Sequence, residues 1–212
     1  MKTFAIVPVK RFENGKTRLS SILDLDDRIR LSSLMLEYTL QVLGGVPSLS
    51  QVTVVSADNR AGEIAAKHGA MFLREQRDSG VNSAVALADG YCARENADAT
   101  MVIPYDLPLL DAMDISRVSD LAKNEAMCIV ICPSLRYDGT NMLLRKPPSV
   151  IRTFYDTDSY TMHIKSAIKL GIPVKYFFSK TIMYDIDTPE DARLLANELG
   201  GAKTLEFLRS KF

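Results

Sequence analysis

The sequence has no tryptophan, two histidines and three cysteines in 212 residues, and its charges cancel to a formal net of zero. Each shortage excludes something. Without a basic excess there is no electrostatic footprint for duplex nucleic acid, so any anion site must be a local cluster. His68 and His163 are too few for a histidine-rich metal centre. An odd cysteine count argues against a disulfide framework. Cys128 and Cys132 share the strand-like run AMCIVIC, and four residues along a strand span roughly 13 Å, too far to share one zinc. These thiols and Cys92 read as buried and reduced. No apolar run approaches the ~20 residues a membrane span needs. MKTFAIVPVK is too short for a signal-peptide core and lacks a cleavage pattern. The expectation is a soluble, cytoplasmic protein with no membrane and no nucleic-acid partner.

What is present is ordinary globular composition, 47% apolar and 25% charged. The length suits one domain, residues 1–212, with a sizeable core. Short β-rich apolar runs at 3–9, 51–56, 70–73, 99–104, 126–132 and 141–145 predict strands. Between them, helical spacing predicts helices over 29–42, from an Asp58 cap to His68, over 82–95, over 114–124, and from Ser159 to Leu170. IPVKYFF and TIMYDID, within 172–187, read as further strands. TPEDARLLANELG closes with a helix to Gly200, capped by Thr188 with Pro189 at its first position. Alternating strand and helix imply an α/β fold, a three-layer α-β-α Rossmann-like arrangement around a mostly parallel sheet. In such folds ligands sit beyond the carboxyl ends of the strands.

That rule selects three places. The first is the loop after Val9. Its NGKT resembles a phosphate-binding loop, but that motif needs a glycine where Lys10 stands. What survives is a cluster of Lys10, Arg11, Lys16 and Arg18 with one intervening acid, Glu13, and with Gly15 supplying backbone freedom. Such a cluster can neutralise a triphosphate or can be a solvated surface loop. The second is Asp106, in MVIPYDLPLL, where a buried strand finishes near a carboxylate. A buried charge is costly unless it is paired or holds a metal. The third is YDID, where Asp185 and Asp187 point the same way if the segment is a strand, roughly 6.6 Å apart. Mg²⁺ takes one or two carboxylates and completes its shell with water and phosphate, and three convergent aspartates suit one or two such ions. The plainer alternatives are a turn former beside Pro108 for Asp106 and a residue flanking a helix cap for Asp187.

AIVPVKRFENGKTRLSSIL, PYDLPLL, DGTNMLL, SYTMHIKSA and DIDTPED together resemble the 2-phospho-L-lactate guanylyltransferase family, in order and over nearly the whole chain. That family makes part of the deazaflavin coenzyme of methanogens and actinobacteria. Its fold is similar to molybdenum-cofactor guanylyltransferases and nucleotide-diphospho-sugar transferases. The resemblance implies that the phosphate of a three-carbon phospho-acid attacks the α-phosphorus of GTP and pyrophosphate leaves. It implies metal ligands at Asp106, Asp185 and Asp187, with Mg²⁺ as cofactor, and catalytic roles for Lys16, Arg18 and Asp106. Nucleotide contacts would come from Val9, Lys10, Gly15, Lys16, Arg18, Asn82 and Ser83. Acceptor contacts would come from Gly139, Thr140, Asn141, Asp156 and Ser159, with His163 matching a family histidine one turn beyond Ser159. Gly139 also forms a turn dipeptide with Asp138, and Asn82 could be a plain helix cap.

The chain departs from the family at Asp156 and Asp158, where glycine is usual. A carboxylate there would repel an acceptor phosphate unless it points away or meets a metal. The same chemistry on phosphoenolpyruvate, 3-phosphoglycerate or a sugar phosphate is the neighbouring alternative. A GTP-binding regulator without catalysis is the alternative of another class. Homodimers are common among soluble proteins of this kind, a base rate and no more.

Overall fold

Seven consecutive buried residues, Thr3–Val9, form the first strand, β1. A strand buried along its whole length needs neighbours at both edges and a covering layer on both faces. The computed structural model, which describes residues 1–198 and 203–212, supplies both. β1 pairs in parallel with β2 (Leu49–Ser56) and β4 (Ala99–Val102), and β3 (Met71–Arg74) lies beyond β2. On the other side β6 (Thr140–Lys146) runs antiparallel to β4 and to β5 (Cys128–Pro133). β7 (Val174–Tyr176) ends the sheet parallel to β5, giving the order β3-β2-β1-β4-β6-β5-β7.

The period of two along β1 divides the core. Ala5, Val7 and Val9 pack on the side of α1 (Leu25–Gly44), α2 (Asn59–Lys67) and α4 (Ala112–Lys123). Phe4 and Ile6 face α3 (Val81–Arg94). Farther along the sheet, Ile129, Ile131 and Leu143 meet Ala167 of α5 (Ser159–Lys169). Three layers result, as expected for an α/β fold. The helix starts follow their signals. Asp58 accepts from the Arg60 N–H, and Thr188 forms a reciprocal capping box with Asp191 ahead of Pro189. Such caps are worth about 1 kcal/mol each. All three cysteines are buried and free. Among the described residues, no helix is long and apolar enough to cross a membrane.

Three expectations need correction. Residues 172–187 are mostly not strand: only Val174–Tyr176 pairs, and Lys180–Met183 forms a short helix, α6. The β-rich run TIM is overridden by Ser179, which caps α6 through the Thr181 N–H and also bonds Asp114 of α4. The closing helix, α7, spans Pro189–Ala196; the end of the helix expected to Gly200 lies outside the described residues. A further helix, α8 (Lys203–Arg209), was not foreseen. Lastly, β4 stops short of residue 104. The Ile103 N–H still reaches the Ile6 carbonyl, but Pro104 has no N–H to continue the ladder.

Candidate active site

The loop after β1 is built to place one lysine. Phe12–Asn14 and Thr17–Leu19 form single 3-10 turns, and Lys16 between them is left-handed at φ 52°. Gly15, credited above with backbone freedom, has an ordinary φ of −79°. Its value is size: a Cβ there would sit 3.3 Å from the Tyr105 hydroxyl. The unusual backbone falls on a non-glycine residue instead, a cost that concentrates at functional sites.

Lys16 points inward, its side chain only 5% exposed. Its Nζ donates to Asp106 Oδ2 at 2.5 Å and to Asp187 Oδ1 at 2.9 Å. This is the partner that the buried end of β4 required. Burial alone would lower the ammonium's pKa, but Asp106 and Asp187 outweigh it and hold the amine firmly protonated. Asp187 lies below the usual carboxylate range, chiefly through Lys16. Asp185 differs. Its hydrogen-bond partner is an amide, Asn141 Nδ2 at 3.2 Å. Burial first, then the charges of Asp106 and Asp187, push its carboxyl up to about 6.

Asp185 and Asp187 reach this place without a strand. The Ile186 N–H donates to the Asp106 carbonyl at 3.2 Å, which stitches the two acidic segments together. Ile186 itself is buried in the core, so the acids on either side of it turn the other way. Asn141 pins the approach by donating to the Ile182 and Met183 carbonyls at 2.9 and 3.1 Å. Asp191 fixes the exit by accepting from the Asp187 and Thr188 N–H groups.

Across the cavity, Thr140 starts β6 and Ser159 starts α5; both are buried. Ser159 Oγ donates to Thr140 Oγ1 at 3.2 Å, and His163 Nδ1 lies 3.0 Å from the same oxygen. The far ring nitrogen, Nε2, accepts from the Phe154 N–H at 2.9 Å. Burial, assisted by Arg145, pushes the His163 pKa down to about 3, so the ring is neutral.

Thr140 and Ser159 line the same cavity as Lys16 and the three aspartates, about 530 Å³ beyond the carboxyl ends of β1 and β4, with His163 behind them. Its walls carry four cations, Lys10, Lys16, Arg18 and Arg136, and four carboxylates, Asp106, Asp138, Asp185 and Asp187. Among the described residues, no three acids, histidines or cysteines are grouped to enclose an ion by themselves. Magnesium asks less, one or two carboxylates with phosphate and water completing its shell. The like-charge pressure on Asp185 is the feature of this donor set that fits a further cation.

A family model described as guanylyl transferase CofC like matches residues 3–211. The chain belongs to the CofC-like guanylyltransferase family. It is 35% identical over 198 residues to a phosphoenolpyruvate guanylyltransferase from Rubrobacter xylanophilus, covering 93% of this chain and 95% of that one. It is 34% identical over 210 residues to a 2-phospho-L-lactate guanylyltransferase from Methanothermobacter thermautotrophicus, covering 99% and 91%. In fold it is similar to the crystal structure of a proposed nucleotide-diphospho-sugar transferase from Desulfovibrio desulfuricans G20, with a TM-score of 0.79 at 16% identity over 99% of this chain and 95% of that one.

Of the residues that the CofC-like resemblance selected, Lys10, Gly15, Lys16, Arg18, Asp106, Gly139, Thr140, Asn141, Ser159, Asp185 and Asp187 line this cavity. Val9 lies beside it, on an adjoining hollow shared with Lys10 and Gly80. Ser83 is exposed on α3 and lies outside the cavity wall. Asn82 and Asp156 also lie outside the wall and bond each other: Asn82 Nδ2 donates to Asp156 Oδ2 at 2.8 Å, and the Tyr155 N–H donates to Asn82 Oδ1 at 2.9 Å. Asn82 is not the cap of α3, a place that Gly80 holds. The Asp156 carboxylate is thus engaged by α3.

Sequence reasoning missed Arg136 and Tyr105. Arg136 lines the cavity and binds Asp191 at 2.6 Å. Tyr105 packs its ring 6.0 Å from Lys16 Nζ. Arg136 stands three residues before Gly139 in a polar turn, which was a usable signal. Tyr105 carried none beyond its place next to Asp106.

Proposed function

We propose that this chain transfers GMP from GTP to the phosphate of a three-carbon phospho-acid, 2-phospho-L-lactate or phosphoenolpyruvate, and releases pyrophosphate. The observation that carries the reading is the convergence of Lys16, Asp106, Asp185 and Asp187 with the Thr140–Ser159 pair on one cavity. An oxygen of the acceptor phosphate forms the new bond to the α-phosphorus as the α–β bridging bond breaks. A phosphate monoester with a second pKa near ~6 is largely dianionic at pH 7 and needs no general base. The protein's work is to align two anions that repel each other and to offset charge on the leaving pyrophosphate.

Lys10, Lys16 and Arg18 supply cations at the nucleotide side, and Thr140 with Ser159 supplies hydroxyls at the acceptor side. Asp106, with Asp185 and Asp187, would hold Mg²⁺, which when bound adds positive charge against the phosphates. Arrival of a cation and a triphosphate would free Lys16 from the carboxylates to meet phosphate oxygens.

The two acids share a phosphate beside a carboxylate and differ only by the double bond between the phosphate-bearing carbon and the terminal carbon, and relatives of nearly equal identity are named for each. The test crosses GTP, ATP, CTP and UTP with 2-phospho-L-lactate, phosphoenolpyruvate and 3-phosphoglycerate, with Mg²⁺, and measures pyrophosphate. Release with GTP and one of the first two acids is expected. GTP binding with no release under any pairing would favour a regulator and sink the proposal.

A further inference from the structure

We propose that His163 is a positioning residue whose ring nitrogen orients the Thr140 hydroxyl as an obligate hydrogen-bond donor to the acceptor's anionic group. The inference rests on the guanylyltransferase reading of the cavity, but its geometry stands apart from it. The Phe154 N–H donates to His163 Nε2, so Nε2 must be the bare nitrogen of the ring. A neutral imidazole carries one proton. That proton is therefore on Nδ1, and the 3.0 Å contact to Thr140 Oγ1 is a donation from the histidine to the threonine.

Ser159 Oγ donates to the same Thr140 oxygen at 3.2 Å. A hydroxyl oxygen has two lone pairs and one hydrogen, and here two incoming donors fill both lone pairs. What remains for the cavity that Thr140 lines is its own O–H. The hydroxyl is left able only to donate, which suits a phosphate or carboxylate oxygen and not another donor. Placement supports this. His163 is fully buried, with Tyr155 edge-on at 5.0 Å and Phe154 at 6.0 Å, so its ring is held without touching substrate. Burial also keeps it neutral, so the direction of the chain of bonds holds across the physiological range. Arg145 is the charged group that acts on this ring, disfavouring its protonation; His163 does not take the role of acid or base.

Nitrogen-resolved NMR of the wild-type imidazole is the first test. The neutral Nδ1–H form is expected from pH 5 to 8; an Nε2–H form, or titration in that range, overturns the proposal. His163→Phe, which keeps a ring and removes the donor, should raise the KM for the phospho-acid about 10- to 100-fold with the KM for GTP within about twofold. His163→Asn, whose amide N–H can occupy the Nδ1 position, should recover much of that loss. Thr140→Val should match His163→Phe, and the double variant should be no worse than Thr140→Val alone. Equal losses for GTP and acceptor, or costs that add in the double variant, overturn it.

Inorganic phosphate binding, followed by phosphorus NMR, reads the hydroxyl without turnover. It should weaken in Thr140→Val, and unchanged binding overturns the proposal even if His163→Phe fails to fold. If no acid supports pyrophosphate release, the guanylyltransferase reading fails alone, while the imidazole spectrum and phosphate binding still decide the hydroxyl's role.

Discussion

At the end proposed for the nucleotide the cavity gathers formal charges, with Lys16 between Asp106 and Asp187 and Asp185 beside them, whereas at the end proposed for the acceptor Thr140, Ser159 and His163 are all neutral. The charged end is held under electrostatic pressure: one buried ammonium serves two carboxylates, and the third is pushed toward protonation. The neutral end is a closed run of hydrogen bonds from the Phe154 amide to Thr140. An incoming cation and nucleotide would relieve the first end, whereas the second already stands in its working arrangement. At the charged end only Asp185 is held at a cost to stability, while Lys16 and Asp187 stabilise each other.

The strongest way to break this contrast is Asp106→Asn. Pyrophosphate release should fall by at least about 10³-fold while the circular-dichroism spectrum stays native. Full activity would remove Asp106 from the chemistry. Lys16→Met comes next. It leaves Asp106 unpaired and Asp187 with only Arg18 at 3.9 Å, and should cost on the order of 3 kcal/mol at pH 7, alongside a large loss of turnover. Chemical denaturation should show part of that stability returning as pH falls toward ~5, when the freed carboxylates take up protons.

His163 sharpens the comparison through pH. Its folded pKa of about 3 lies below the ordinary 6.5, so the unfolded chain takes up the proton first as pH falls. Its contribution to stability is complete above about pH 6.5 and is lost progressively toward pH 3, on the order of 5 kcal/mol in all. The His163→Phe variant should lack that part of the acid limb in denaturant midpoints measured against pH. Asp185 has the opposite sign. Its folded carboxyl, pushed up to about 6 from 3.8, destabilises the fold increasingly as pH rises through that interval. Asp185→Asn should therefore be more stable than wild type by on the order of 3 kcal/mol at pH 7, equal to it near pH ~4, and inactive. The smallest effect is expected from Asp156→Gly, which removes the carboxylate that Asn82 holds. Loss of the Asn82 bond should cost about 0.5–1 kcal/mol and change the acceptor KM by no more than about threefold. A larger gain in acceptor binding would mean that Asp156 faces the acceptor after all.

Much of the architecture was legible because local pattern and tertiary need agree. The apolar runs of β1 and β2, the Asp58 cap and the Thr188–Pro189 start each signal one structure and find it. The failures lie where a long-range bond outweighs propensity. TIM is β-rich, but Ser179 is bound to Asp114, 65 positions away, and the run becomes α6. Asn141 lines the cavity, and the hold of its amide on the 182–185 segment carries no local signal. Gly15 was credited with the special backbone that Lys16 holds. No composition rule separates these cases, because each depends on a partner distant in the chain.

Local pattern alone settled the alternation of strands and helices, the ends of β1 and β4 as candidate site-bearing places, and which acids and bases were available there. It could do so because hydrophobic period and capping chemistry are read over a few residues. Which of those charges meet was decided only by the folded chain. Lys16 reaches Asp106 across 90 residues and Asp187 across 171, and the Ile186-to-Asp106 backbone bond sets that meeting. The pairing of an ammonium with two carboxylates, and the burial that gives it its strength, arise from packing of distant segments, which no window of sequence contains.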